Sequence, residues 1–284
     1  FYERALYNGI LGTQGPQPGL LQYYVPMASG YPRSYGTPDD SFWCCYGTGI
    51  ENWAAAGNSI YFKGETEEKT PLLLVNLFIP SRLEWKELGV RVEQVTRFPE
   101  EEATELRFYM DKPTRFELEV RHDVGWARMG AATLNGVEDP LSGPIPGVRR
   151  YLRTWENGDV LRVPLPMFLQ AQTSLPDDPE RVAITYGPLV LAGILEPAPD
   201  GVVYKNPNNA YPIDLQKSVR PVYFVGSPEH PEEWLEPVEG KPLTFKTKGQ
   251  ETDITFVPFC DIVSERYGLY WPVVQRDSER HKRL

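Results

Sequence analysis

The chain has 284 residues, with 39 acidic against 29 basic side chains and a formal net charge of −10. That balance disfavours nucleic acid and anionic membrane surfaces as the main partners. No stretch approaches about 18 uninterrupted apolar residues, so no membrane-spanning helix is expected. The 28 prolines and 24 glycines, together with 12% aromatic residues, favour turns and β-structure over a helical bundle.

The first residues carry apolar side chains at helical spacing, so a helix is predicted over residues 1–12. A glycine- and proline-containing loop ends it, an extended segment runs from Gly19 to Met27, and a second loop occupies residues 30–40. Residue 1 is not a methionine and already lies within the predicted helix. We therefore expect the chain to be the C-terminal part of a longer protein.

Two of the three cysteines, Cys44 and Cys45, are adjacent, between two bulky aromatic residues and a glycine-rich turn. A helix is predicted to follow over roughly residues 47–57, with Glu51 in its first turn, where the helix dipole favours an acidic side chain. Adjacent thiols make a poor disulfide, because the ring they would close is strained. Three interpretations stay open: two metal ligands, one reactive thiolate tuned by its neighbour, or two buried apolar groups.

The remaining cysteine and the histidines show no metal-ligand spacing. Cys260 follows an apolar stretch and is interpreted as a core residue. His122, His230 and His281 are scattered along the chain, and each is expected to be a surface or structural residue. Three cysteines do not make a disulfide framework, so the pattern favours metal ligation or a reducing compartment such as the cytoplasm.

Aromatic and acidic residues flank the cysteine pair in the sequence. Tyr23, Tyr24 or Trp43 could stack on the apolar face of a sugar ring. Because side chains alternate along an extended segment, at most one of the two tyrosines is expected to face a pocket. Asp39 and Asp40 follow a proline and are interpreted as turn residues.

From residue 59 the hydrophobic period changes to two, and ten short strand candidates follow up to residue 172. Closely spaced strands of this kind predict an antiparallel β-sandwich. An apolar run at Ala183–Ile194 is predicted to be buried, and residues 197–212 are predicted to form a connector rich in proline and asparagine. The last third is expected to be a smaller β-unit.

Several runs carry a family resemblance. They are Glu3–Leu11, Tyr23–Met27, Phe42–Asn52 (FWCCYGTGIEN), Val75–Ser81, Asn157–Met167, Val182–Gly193 and Glu265–Trp271. In these runs the chain resembles glycoside hydrolase family 127, the β-L-arabinofuranosidase-like proteins. The cysteine-pair run is the most specific of them.

The resemblance implies a mostly β chain in three parts. Residues 1–62 would be the C-terminal end of an (α/α)6-barrel catalytic domain, and residues 63–172 an antiparallel β-sandwich domain. Residues 173–284 would be a second β-sandwich-like domain. The boundary between the two β-domains follows chain order and lies near residue 172 or near residue 196.

The resemblance also implies a zinc ion held by three cysteines and one glutamate, with one thiolate attacking the anomeric carbon in a retaining double displacement. By resemblance, Cys44 is the nucleophile and a zinc ligand, Cys45 is a second zinc ligand, and Tyr24 hydrogen-bonds the bound sugar. The family's Glu-x-Cys pair does not occur in this sequence. We therefore expect an incomplete zinc site that needs an upstream barrel segment or a partner chain.

The expected substrate is an arabinofuranose-containing oligosaccharide or glycoconjugate, which this chain alone is not expected to hydrolyse. The alternative is a non-catalytic β-sandwich scaffold or carbohydrate-binding module. That alternative applies above all to the strand-rich residues 63–284.

Overall fold

The computed structural model describes residues 1–16, 21–37, 41–121, 125–126, 130–139, 143–145, 147–197, 203–204 and 222–283. His122, Asp39 and Asp40 lie outside these ranges, as does most of the predicted connector 197–212. Within the described ranges, every helix is too short or too polar to cross a membrane.

Helical structure is short in the described residues. It comprises α1 (Tyr2–Ala5), a π-helical turn (Leu6–Ile10), α2 (Cys44–Ala55) and 3-10 turns at Leu11–Thr13, Ala56–Ser59, Pro231–Glu233, Phe259–Asp261 and His281–Arg283. The predicted N-terminal helix is confirmed, but it changes helical type along its length. Asn8 Nδ2 donates to the carbonyl of Arg4 at 2.8 Å, a local side-chain bond that competes with regular α-helical pairing.

The described strands account for most of the regular structure. In chain order they are β1 (Ser34–Tyr35), β2 (Tyr61–Glu65), β3 (Pro71–Val75), β4 (Ser81–Trp85), β5 (Val90–Thr96), β6 (Ala103–Met110), β7 (Thr114–Arg121), β8 (Thr133–Leu134), β9 (Val137–Glu138), β10 (Gly143–Ile145), β11 (Val148–Trp155), β12 (Val160–Pro164), β13 (Leu169–Leu175), β14 (Asp178–Tyr186), β15 (Leu189–Glu196), β16 (Val203–Tyr204), β17 (Phe224–Val225), β18 (Leu235–Pro237), β19 (Phe245–Thr247), β20 (Thr255–Pro258), β21 (Arg266–Gly268) and β22 (Tyr270–Val274). The prediction of a mostly β chain is confirmed.

The segment Ala55–Phe168 forms one compact unit with two main sheets, ordered β10-β11-β7-β3-β2 and β4-β5-β6-β12-β8-β9. Buried rings from both sheets meet between them: Phe108 stacks on Trp155 at 4.3 Å, and Trp85 meets Phe116 edge-on at 5.5 Å. This is the arrangement of a β-sandwich. Most pairs are antiparallel, but β3 and β7 run parallel, which the prediction of an antiparallel sandwich did not include.

Residues Phe1–Ala54 and Leu169–Leu284 together form the second compact unit. Its main sheet has the order β17-β22-β14-β15-β20-β19-β18, with β13 also paired to β14 and β21 to β15. The ring of Phe224 stacks on Trp234 at 5.3 Å and lies 5.2 Å from Trp271, at the centre of a buried cluster. The apolar run predicted as buried is a hairpin, because Gly187 turns the chain with φ +58° between β14 and β15.

The N-terminal helical segment is attached to this hairpin through Asn8. Its Nδ2 donates to the carbonyl of Pro188 at 2.8 Å, and its Oδ1 accepts the Val190 N–H at 2.6 Å. Residues far apart in sequence therefore share one unit, whereas the sequence-based division at residues 62 and 172 follows chain order. That division, and the barrel expected over residues 1–62, stay predictions.

Candidate active site

Helix α2 begins at Cys44, earlier than predicted, so both cysteines lie in its first turn. Thr48 Oγ1 donates to the carbonyl of Cys44 at 3.4 Å, so this hydroxyl bonds back along the helix instead of capping its start. The first turn leaves backbone N–H groups unpaired and favours negative charge. Glu51 is exposed in the interior of the helix, so the prediction that it lies in the first turn is wrong.

The two thiols are exposed, and neither forms a disulfide. Their Sγ atoms lie 3.8 Å apart. The interpretation of Cys44 and Cys45 as buried apolar groups is therefore wrong for this chain. Two exposed sulfurs at this distance can bind one soft metal ion or act as a nucleophile and its neighbour.

The distance between the two Sγ atoms fits two ligand positions of a tetrahedral zinc site. Two thiolates bound to one tetrahedral zinc, each about 2.3 Å from the metal, lie about 3.8 Å apart. Across the described ranges, no group of three or more histidine, cysteine, aspartate or glutamate side chains could hold a metal ion. Cys44 and Cys45 are thus a ligand pair that requires further donors.

Two glycines allow α2 to approach the segments beside it. A Cβ on Gly49 would lie 2.5 Å from Leu21 Cδ1, and a Cβ on Gly36 would lie 2.5 Å from the Tyr46 hydroxyl oxygen. The Gly36 N–H also donates to the carbonyl of Leu21 at 2.9 Å. The helix that carries the thiols is therefore packed closely against residues 21 and 36.

Tyr23 is the aromatic residue that meets the thiols. The Cys45 thiol beside its hydroxyl, then desolvation and the Cys44 thiol, raise the pKa of Tyr23 to about 12. Its ring lies 4.7 Å from that of Trp43 in an edge-to-face contact. Leu21 and Tyr23 both lie against α2: Leu21 packs on Gly49, and the Tyr23 ring lies 6.2 Å from that of Tyr46.

Tyr24, the tyrosine assigned by resemblance, is half-buried beside Tyr23, with 4.7 Å between the ring centroids. Its role in sugar binding stays a prediction. The sequence did not single out Tyr23 from Tyr24. Only the tertiary contacts of Tyr23 with the thiols and with Trp43 distinguish the two tyrosines.

A buried arginine anchors the segments next to Tyr23. Arg33 is 1% exposed, donates to the carbonyls of Gly12 and Phe259, and stacks over the Phe259 ring at 4.3 Å from its centroid. The residue after Gly12, Thr13, accepts the Gln22 N–H at 2.8 Å. The segments that hold Tyr23 in place are thus joined by a buried arginine, and no sequence motif predicted its role.

The other cysteine and histidines lie apart from this cluster. Cys260 lies half-buried in the 3-10 turn Phe259–Asp261, and burial raises the pKa of its thiol to about 12. His230 is exposed beside Glu232, whose carboxylate raises its pKa. His281 packs edge-on against Tyr223 at 5.8 Å. The two described histidines therefore have surface or structural surroundings, as predicted.

The surface around the thiols is open. No residue of α2 is buried in this chain. Phe42, just before the helix, is 83% exposed, and Ile50 on the helix is 65% exposed. Both are large apolar side chains in contact with water beside the two thiols.

Comparison with known families agrees with these features. Residues 1–58 match the model described as the β-L-arabinofuranosidase GH127 catalytic domain, and residues 72–167 match the GH127 middle domain. Together the matched ranges cover more than half of the 284 residues. No curated protein matches the chain.

Solved structures share the fold. A GH127 β-L-arabinofuranosidase from Geobacillus stearothermophilus T6 aligns with TM-score 0.68 and 18% identity, over 95% of this chain and 45% of its own. A chain described as a glycoside hydrolase aligns with TM-score 0.64 and 17% identity, over 96% and 48%. A GH127 β-arabinofuranosidase aligns with TM-score 0.62 and 17% identity, over 95% and 45%.

The chain thus spans just under half the length of the solved proteins that it resembles. The two matched ranges include the cysteine pair, Tyr23 and Tyr24, and most of the sandwich around Phe108 and Trp155. On these matches, the chain belongs to glycoside hydrolase family 127.

Proposed function

We propose that this chain is part of a retaining glycoside hydrolase that cleaves β-L-arabinofuranoside-like sugars with the Cys44 thiolate as nucleophile. The observation that carries the proposal is the pair of exposed thiols, 3.8 Å apart at the start of α2, with the Tyr23 hydroxyl against them. The substrate class is that of the family, the β-L-arabinofuranosidases.

In the first step, a lone pair of the Cys44 sulfur forms a bond to the anomeric carbon while the bond from that carbon to the glycosidic oxygen breaks. The leaving oxygen takes a proton from a general acid, which we place outside this chain. In the second step, water gives a proton to that same group, now acting as a base, and attacks the anomeric carbon; the carbon–sulfur bond breaks and the thiolate is restored. Two inversions at one carbon give net retention.

Cys44 and Cys45 are the residues that would hold zinc. When bound, zinc would supply positive charge that keeps both sulfurs deprotonated at neutral pH. The Tyr23 hydroxyl contacts both sulfurs and would limit their movement, so that Cys44 is directed at the sugar. Tyr24 is assigned the hydrogen bond to the bound sugar, on the strength of the resemblance.

We propose that an upstream barrel segment, in the same polypeptide or in a separate chain, completes the site. The exposed face of α2 supports this. So does a second feature of the same unit, an apolar cavity of about 550 Å³ lined by residues that include Phe1, Val25 and Met27. Covering both surfaces would remove apolar area from water, and each Å² buried stabilises the complex by roughly 25 cal/mol.

The test is zinc content by mass spectrometry, measured on this chain alone and on a protein that includes the upstream barrel. We expect about one zinc per molecule in the longer protein and almost none on this chain. Cys44→Ser in the longer protein should abolish cleavage of a chromogenic β-L-arabinofuranoside. Zinc on neither protein, together with full activity of Cys44→Ser, would rule out the proposal.

A further inference from the structure

A polar groove lies within the Ala55–Phe168 unit, at one end of its six-stranded sheet. It is formed by three turns, which join β4 to β5, β6 to β7 and β11 to β12. Its volume is about 530 Å³, which is within the range of small-molecule sites. Loop ends on a rigid sheet are common positions for binding residues.

Two planar side chains form a stack in the groove. Arg91 on β5 is the cross-strand partner of Tyr109 on β6, and its guanidinium carbon lies 4.1 Å from the ring centroid. Both are half-buried, and the strand pairing holds them in place without a ligand. Arg91 Nε is buried and makes no hydrogen bond within the described residues, although a Glu93 oxygen lies 3.5 Å away.

The rest of the lining offers both donors and acceptors. Asn157 Oδ1 accepts the Met110 N–H at 3.1 Å, which leaves the Nδ2 donors for a ligand. Lys86 and Asp111 are exposed, and their side chains form no hydrogen bond within the described part of the chain. The buried Trp85 and Met110 form apolar parts of the lining.

The charges in the groove balance. The carboxylates of Glu84 and Asp111 are matched by Lys86 and Arg91. A polyanion such as RNA would meet two carboxylates there, and an apolar ligand would leave the donors and acceptors without partners. A neutral ligand rich in hydroxyl groups satisfies both kinds of polar group and can place a C–H face on an aromatic ring.

We propose that this groove is an accessory binding site for a neutral oligosaccharide, separate from the cysteine pair. The choice of an arabinose-containing chain as the ligand rests on the proposed function. In the groove, sugar hydroxyls pair with Asp111 and Asn157, and one sugar face packs against Tyr109. The preformed stack of Arg91 on Tyr109 lowers the entropy lost on binding.

The experiment uses the full chain in affinity electrophoresis through gels that contain soluble arabinogalactan. We expect the wild-type chain to be retarded. Tyr109→Ala should raise Kd about tenfold, because an aromatic anchor is lost. Asp111→Ala should raise it about threefold through one lost hydrogen bond, and Asp111 is exposed, so this variant is expected to fold. The matched control is Glu138→Ala, an exposed carboxylate away from the groove.

The outcomes separate this proposal from the catalytic one. Retardation that survives Cys44→Ser but falls in Tyr109→Ala and Asp111→Ala supports the groove, even if the catalytic proposal fails. Absence of retardation, or an equal loss in Glu138→Ala, would overturn it. Binding of heparin instead of arabinogalactan would also overturn it, because a balanced groove should not prefer a polyanion.

Discussion

Leu21 packs directly against the bare Cα of Gly49, so closely that a Cβ on Gly49 would lie 2.5 Å from Leu21 Cδ1. This contact joins the helix that carries both thiols to the segment that carries Tyr23. Small movements between the two would separate the Tyr23 hydroxyl from the sulfurs. The contact therefore yields the first prediction.

Gly49→Ala gains helix propensity but forces Leu21 Cδ1 to shift, so its unfolding free energy should be about 1–3 kcal/mol lower than that of Gly47→Ala. The measurement is urea unfolding of the chain. Gly47→Ala is the matched control in the same helix, because its Cβ would meet nothing within 4 Å. The control should be neutral or stabilising by up to about 1 kcal/mol. Adding Leu21→Ala to Gly49→Ala should remove the overpacking, so the two substitutions should show a favourable coupling free energy in a double-mutant cycle. Strictly additive changes in unfolding free energy would contradict the contact.

Tyr23→Phe and Tyr24→Phe should have different effects on the longer protein that includes the barrel. Tyr23→Phe removes the hydroxyl that contacts Cys45, so zinc affinity should fall about tenfold. Tyr24→Phe should leave zinc content unchanged and lower kcat/KM about tenfold through a lost bond to the sugar. Competition with a zinc chelator and steady-state kinetics measure the two effects. Identical losses in both assays for both variants would contradict the separate roles.

The three cysteines should react with iodoacetamide at very different rates. Cys44 and Cys45 are exposed, whereas burial raises the pKa of Cys260 to about 12. The thiolate is the reactive form, so at pH 8 Cys260 should be alkylated at least about a hundredfold more slowly than the exposed pair. Its rate should rise about tenfold per pH unit up to roughly pH 11. Peptide mapping over time measures this, and equal labelling at pH 8 would contradict it.

Stability should depend on pH through Asp178. Bonds from Arg280 and Arg181 lower the pKa of this carboxyl to about 2. A folded-state pKa below the unfolded value stabilises the fold above the unfolded pKa, and this contribution is lost as pH falls towards about 2. Asp178→Asn should thus cost about 1 kcal/mol at pH 7, since the pair is partly exposed.

The difference in unfolding free energy between wild type and Asp178→Asn should shrink steadily between pH 4 and pH 2. Urea unfolding at each pH measures it. Asp253→Asn is the control, an exposed carboxylate without an ion pair in the described structure. A wild-type advantage that stays constant down to pH 2 would show that Asp178 acts through packing instead of charge.

Much of the strand pattern followed from local sequence. The period of two from residue 59 onwards predicted β-structure, and buried residues such as Val92, Leu106 and Phe108 occupy the inward positions of their strands. Local alternation is enough here because one face of each strand must be buried. It does not specify partners, so the parallel pairing of β3 with β7 could not be predicted from it.

The sequence by itself determined the family, the adjacent thiols of Cys44 and Cys45 and the mostly β character, because these depend on residue type and short-range spacing. Only the tertiary structure decided that Tyr23 meets the thiols, that α2 starts at Cys44, and that residues 1–54 share a unit with residues 169–284. These features depend on contacts between residues distant in sequence, such as Leu21 with Gly49 and Arg33 with Phe259. Their geometry is set by packing, which short-range spacing does not encode.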